Sequence, residues 1–293
     1  MSVRRLVILG ASGRLGLSIA AELQGWPEID LVRQARRPAP DMLHWAPEMG
    51  PDALSEVLSG ADAVLNLIGA TPAEALDDAA FERINCHLAI DILSAARAAK
   101  VRRILMASSA AVYGRPTGDR PFTETDPMAP VNAYGRSKAK MESAMQALSG
   151  PDLTVLRIGN VAGADALLGQ IPGQSLPVTI TLDRFADGQG PRRSYLGPRG
   201  LARIVGKLVL TGAALPGVLN VTAAPPLAME ALVAALNRQR PGTVDLRWRD
   251  APEGAIAEVA LRHHGLAALL GADLTRIDAE TAVREWLDEG ALD

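Results

Sequence analysis

At 293 residues, 48% of them apolar and 22% charged, the chain is long enough to bury a large core. A net charge of −3 with no block of like charges excludes the basic surface that nucleic acid or a membrane face requires. No apolar run reaches the roughly 20 residues of a bilayer span.

In chain order, "VRRLVILG" (3–10) reads as a buried parallel strand ending in glycine. "RLGLSIAAELQGW" follows with Leu15, Ile19 and Leu23 at helical spacing and Gly25 as a stop. A second strand begins at 29 ("IDLVRQA"), a poor third one falls around Leu43 to Ala46, and "ADAVLNLIGAT" from 61 holds a fourth. Residues 81–100 predict one helix long enough to cross a sheet. "VRRILMASSAAVYG" supplies another strand, "NAYGRSKAKMESAMQAL" a helix and "DLTVLRIGN" (152–160) a further strand. Strand and helix alternate through the first 160 residues, so the expected fold is α/β, a doubly wound parallel sheet covered on both faces. Beyond Asn160 glycine and proline interrupt the alternation. "PVTITL" and "VDLRWR" predict short strands, "RGLARIVGKLVL" a helix and "GVLNVTA" a strand. The expected division is 1–160 and a smaller lobe, 161–293, interleaved with the last elements of the sheet.

The single cysteine, Cys86, excludes an internal disulfide. With no secretory signal at the N-terminus, a reducing cytoplasm is the expected home. His44, His87, His263 and His264 lack zinc-type spacing, and no metal is expected.

"GASGRLG" at the first strand-to-helix turn places Gly10, Gly13 and Gly16 where backbone must approach an anion. The helix N-terminus there offers free N–H groups to a pyrophosphate. Gly10, Ser12, Gly13, Arg14, Leu15 and Gly16 are therefore the expected cofactor loop. No carboxylate stands between Val32 and Pro40, where a free ribose 2′-hydroxyl is usually held; Arg36 and Arg37 stand there instead. Guanidinium forks suit a 2′-phosphate, so NADP is expected over NAD. Tyr134 and Lys138 lie four apart, on one face of a helix.

Several stretches in order resemble the extended short-chain dehydrogenase/reductase family, which includes the NAD(P)-dependent sugar-nucleotide epimerases and dehydratases. They are "GASGRLG", "NLIGAT", Asn85, "SSAAVYG", "YGRSK" and "RIGNVAG". The resemblance implies a Rossmann-type dinucleotide-binding domain over 1–160 and a C-terminal substrate lobe. It implies Tyr134 as the proton-exchanging group, Lys138 as its cationic neighbour and ribose ligand, Ser109 as the group orienting the reacting oxygen, and Asn85 as support for the lysine. Leu67, Ile68 and Gly69 would line the cofactor, Arg157 and Asn160 would sit beside nicotinamide and substrate, and Arg193 would bind a substrate phosphate or carboxylate. A homodimer is also implied, through helices 81–100 and 132–149, with Ile90, Leu93 and Met141 as candidate contacts or else sheet-packing residues. Two departures bear on substrate: Ala110 and Ala111 replace the acid that follows the catalytic serine in dehydratases, and "RSYLGPRGLA" (193–202) lacks the family's acidic pair. The reading is thus an NADP-preferring oxidoreductase or epimerase acting on a nucleotide sugar or smaller carbonyl compound. Its rival is a non-catalytic NADP-binding sensor.

Overall fold

The computed structural model describes residues 3–74, 76–118, 120–148, 150 and 152–292. The chain divides into two compact units. The first holds 1–114, 127–158 and 202–219; the second holds 115–126, 159–201 and 220–293.

The first unit carries β1 (Arg4–Leu9), α1 (Arg14–Leu23), β2 (Ile29–Ala35), β3 (Leu43–His44), α2 (Gly50–Val57), β4 (Ala63–Asn66), α3 (Asp78–Glu82), α4 (Leu88–Ala98), β5 (Arg103–Ser109), α5 (Ala133–Ala147) and β6 (Leu153–Ile158). Its six strands pair in parallel in the order β3-β2-β1-β4-β5-β6. β4 and β6 are buried along their whole length and β1 over its last four residues. Strands covered on both faces need such continuous apolar runs, which is why alternation is absent from them. Chain order reverses between β1 and β4, and in open α/β sheets ligands bind outside the carboxyl ends at such a switch.

One side of the sheet is packed by Leu54, Leu58, Ile92, Leu93, Met141 and Met145 with Val64, Ile104 and Met106 of the strands. Leu93 and Met141 are each 1% exposed, so of the candidate dimer contacts these two belong to the core. The helix expected over 81–100 is composite: α3 passes through a π-turn at Arg83–His87 before α4. A π-turn inserts one residue without changing the apolar period enough to be seen in sequence.

The later chain carries β7 (Asn160–Val161), β8 (Val178–Arg184), β9 (Arg192–Arg193), β10 (Tyr195–Leu196), α6 (Pro198–Leu210), β11 (Val218–Val221), β12 (Leu227–Ala228), α7 (Met229–Gln239), β13 (Val244–Asp250), β14 (Glu258–Val259), α8 (His264–Leu270) and α9 (Ala279–Leu287). β11 extends the large sheet beyond β6. The strands expected from "PVTITL" and "VDLRWR" are β8 and β13, and they pair with each other in parallel. The second unit has its own core, in which Leu168, Ile180, Leu182, Tyr195, Leu232, Leu236, Val283 and Trp286 cluster. Among the described residues no helix is long and apolar enough to cross a membrane.

Candidate active site

The switch between β1 and β4 is built from glycine and one buried amide. Gly10 ends β1 at a φ of +77°, a conformation L side chains disfavour, and a Cβ there would stand 3.2 Å from Ile68. Gly16 packs closer still: a Cβ would lie 2.5 Å from the Gly10 carbonyl and 2.6 Å from Ala11 Cα. Gly13 is the N-cap of α1, which has no side-chain cap and no acid in its first turn. The positive end of the helix dipole there suits an anion. Ser12, Gly13 and Arg14 are exposed beside it, with Leu15 half-buried. Gln34, 1% exposed, fixes the turn by accepting from Gly10 N at 2.9 Å and donating to the Trp45 carbonyl at 2.6 Å. At the neighbouring strand end, Asn66 accepts from Ile68 N at 3.0 Å and Leu67 N donates to the Leu9 carbonyl. These residues fit the expected dinucleotide: the loop has room where side chains would fill it, and donors where a diphosphate needs them.

The second part of the site is set by α5. Asn132 caps it, accepting from Gly135 N at 2.7 Å. Gly135 lets the helix close on the turn after β5, since a Cβ would stand 2.6 Å from the Ala111 carbonyl. Ser109, at the end of β5, accepts from Ala111 N at 3.2 Å, and its side chain lies near enough to the Tyr134 phenol to lower its pKa. Tyr134 is also met edge-on by Phe81, with ring centroids 6.1 Å apart. Lys138, 6% exposed, donates from Nζ to the Ala107 carbonyl at 3.0 Å. A Cβ on Gly69 would stand 3.2 Å from that ammonium and 2.8 Å from Asn85 Oδ1. Lys138 and Asn85 therefore flank the end of β4, beside the expected cofactor segment Leu67–Gly69.

Burial pushes the Lys138 ammonium down to about 8, opposed by the negative charge of Glu142. Burial also raises the Tyr134 phenol above its ordinary value; Ser109 lowers it in part and the Glu74 charge raises it further. The protein's own groups thus do not bring Tyr134 toward neutrality.

Asn85 lies in the π-turn and is 1% exposed. Its amide accepts from Ala70 N at 2.8 Å and donates to the Ala70 carbonyl and to Ser137 Oγ. Ser137 in turn donates to the Tyr134 carbonyl at 2.7 Å. Asn85 thus ties the loop after β4 to the first turn of α5. Arg157 is 2% exposed and faces inward, donating to Glu142 at 2.9 Å and to the Tyr113 hydroxyl at 2.8 Å. Its guanidinium also stacks 4.8 Å from the Tyr113 ring centroid.

Gln34, Gly135, Ser137 and Glu142 were not among the expected site residues. Gly135 had a signal, since glycine inside a helix costs about 1 kcal/mol and marks close approach. Gln34 had a fainter one, a neutral amide in a strand.

Asn160 and Arg193 belong to the second unit. The Asn160 side chain hydrogen-bonds Tyr195, whose hydroxyl donates to Asp165 at 2.6 Å. Arg193 donates to the carbonyls of Arg192, Ala257 and Ile256. The second unit also has a cavity of about 400 Å³ whose lining includes Arg184, Phe185, Asp250 and Pro252. No cluster of three or more metal-ligating side chains occurs among the described residues.

A UDP-glucose 4-epimerase of Azospirillum brasilense is 34% identical over 130 residues, 43% of this chain and 36% of that protein. The chain therefore matches about a third of that relative's length. A UDP-glucose-4-epimerase from Stenotrophomonas maltophila, solved with NAD and formylated UDP-arabinopyranose, has a TM-score of 0.78 at 21% identity, covering 97% of this chain and 96% of that one. A short-chain dehydrogenase/reductase superfamily protein from Agrobacterium tumefaciens, solved with NAD, has a TM-score of 0.73 at 21% identity, covering 98% and 99%. At that identity the likeness is one of fold.

The expected NADP preference is corrected by these comparisons. NAD is named with both structures and with MoeE5, and NADPH with Pseudomonas aeruginosa RMD, so NAD is the commoner cofactor among these structures. Arg36 and Arg37 are exposed beyond the end of β2, where charged side chains stand solvated without any ligand. A family model, the NAD dependent epimerase/dehydratase family, matches residues 6–192, more than half of the chain. With the glycine loop at the β1–β4 switch and the tyrosine and lysine of α5 behind it, this chain belongs to the NAD dependent epimerase/dehydratase family.

Proposed function

We propose that the chain is an NAD-dependent oxidoreductase or epimerase acting at a hydroxyl-bearing carbon of a nucleotide sugar. The observation that carries this reading is the alignment of Tyr134 on Ser109 with Lys138 buried against the β4 end beside Gly69. In this reading 1–160 holds the cofactor and 161–293 selects the substrate. The N–H groups at the start of α1 receive the diphosphate, and the backbone of Leu67–Gly69 lies along the cofactor. Bound NAD supplies the hydride acceptor.

Ser109 and Tyr134 hold the substrate hydroxyl, and Tyr134 takes its proton as the carbonyl forms. Lys138, largely protonated at neutral pH with its midpoint near 8, lies one turn away and would hold the cofactor's ribose hydroxyls. Ala110 and Ala111 leave no acid beside Ser109 to promote elimination, which favours redox or epimerisation over dehydration. The nucleotide-sugar class is drawn from the relatives' substrates. A second copy of the chain, as the family resemblance implies, would meet this one through surfaces other than Leu93 and Met141. Cys86 is buried and its thiol pushed up by desolvation, an unreactive state that suits a reducing cytoplasm.

The test is titration with NADH, followed by a screen of UDP-sugars for oxidation or epimerisation. NADH binding with turnover reduced about 10²- to 10⁴-fold in Tyr134→Phe is expected. Failure to bind either NADH or NAD would sink the reading.

A further inference from the structure

Tyr134, Lys138 and Glu142 recur at every fourth residue along one face of α5, and each is tied to one of three consecutive residues of β5. Tyr134 meets the Ser109 hydroxyl, Lys138 the Ala107 carbonyl, and Glu142 Oε1 accepts from Ser108 Oγ at 2.5 Å. The first two contacts belong to the proposed catalytic group. The third has no part in it, yet it is the most deeply buried. Glu142 is 0% exposed, and its other oxygen accepts from Arg157 Nε at 2.9 Å and from a second guanidinium nitrogen at 2.8 Å.

A buried ion pair is a costly filling for a core, and apolar side chains of similar volume often hold a fold equally well. Such side chains cannot supply a fixed register or a fixed charge one turn from Lys138. We propose that Glu142 is a positioning residue: clamped between Ser108 and Arg157, it sets the register of α5 on β5 and is the counter-charge to the buried Lys138. The inference rests on the reading of Ser109, Tyr134 and Lys138 as the catalytic group.

Glu142 faces Lys138 on its own helix, Ser108 on β5 and Arg157 on β6, with Tyr113 beyond. Lys138 faces the charge of Glu142 on α5, the β5 backbone, and the space beside Gly69 that Asn85 shares. In accord with this geometry, burial drives the Lys138 midpoint down while Glu142 holds it up. A residue that merely filled space would leave that midpoint unmoved.

The chain has four lysines (Lys100, Lys138, Lys140 and Lys207), so isotope labelling at lysine Cε gives four titrating NMR signals, with Lys138 assigned through Lys138→Arg. In Glu142→Gln the Lys138 midpoint is expected to fall by about one pH unit. The double variant Glu142→Gln/Arg157→Met, which leaves no unpaired guanidinium, is expected to shift it in the same direction. A midpoint equal to that of the wild type in either folded variant would overturn the proposal. Loss of the fold in both would overturn it too, because the pair would then be a stability element. The readout needs neither cofactor nor substrate, so it stands or falls apart from NADH binding and the Tyr134→Phe turnover.

Discussion

Lys138 sets burial against charge at the site. Its folded midpoint near 8 lies below the roughly 10.4 of an unfolded lysine, so the folded state binds fewer protons between those values. Stability from this group is complete above the unfolded value and is lost as pH falls through about 8, a swing on the order of 3 kcal/mol. Tyr134 acts the other way but only at higher pH: its raised phenol makes the unfolded state ionise first, which costs stability above about 10. In the window from pH 8 to 10 the buried Cys86 thiol, also raised by burial, acts as well, so Lys138 is read as a difference between variants. Chemical denaturation of wild type and Lys138→Met across it should give a difference in stability that rises with pH toward 10. A flat difference would mean that the ammonium is solvated. Tyr134 and Lys138 were readable as neighbours on one helix face because helical spacing is local and survives without the fold, whereas Ser109, on β5, came only from the family resemblance. Glu142 and Arg157, 15 residues apart on a helix and a strand, become partners only when β6 lies beside β5. No spacing rule joins them.

Elements were legible where burial is continuous and obscure where backbone geometry departs from a regular period. β1, β4, β5 and β6 are apolar runs, and the structure places strands at each. The π-turn at Arg83–His87 left no mark, although it carries Asn85. The glycine loop separates conformational need from mere occurrence. A methyl on Gly16 would collide with backbone at 2.5 Å, whereas one on Gly25, just past the end of α1, meets nothing within 4 Å. Gly16→Ala must push α1 off β1, at about 1–3 kcal/mol, and should weaken NADH binding by displacing the helix N-terminus. Gly25→Ala should leave binding unchanged and raise stability by about 0.4–1 kcal/mol through the unfolded chain. Thermal melts with and without NADH distinguish the two. Equal effects would mean that the loop is not closely packed on α1.

For the whole molecule, chain order says little about which segment belongs to which unit. Residues 202–219 return to the first unit and 115–126 join the second, associations made by packing rather than by sequence neighbourhood. The second unit's core was the hardest to read, because beside β8 and β13 it draws on two-residue strands and on helices whose partners lie far off in sequence. A close approach within it is at Gly163, at a φ of +82° and so near Trp286 that a Cβ would stand 2.1 Å from the indole. Trp286 is 3% exposed and cannot retreat into solvent without leaving that core. Gly163→Ala therefore combines a left-handed backbone, at about 1–2 kcal/mol for a residue with a side chain, with overpacking of about 1–3 kcal/mol. Hydrogen exchange should quicken in α9 and in 159–171, while amides of β1, β4 and β5 keep their protection. Indole emission should shift to the red as Trp286 is displaced. Unchanged exchange in α9 would show that Trp286 can be moved at no cost, and that the close approach at Gly163 does not hold this core together.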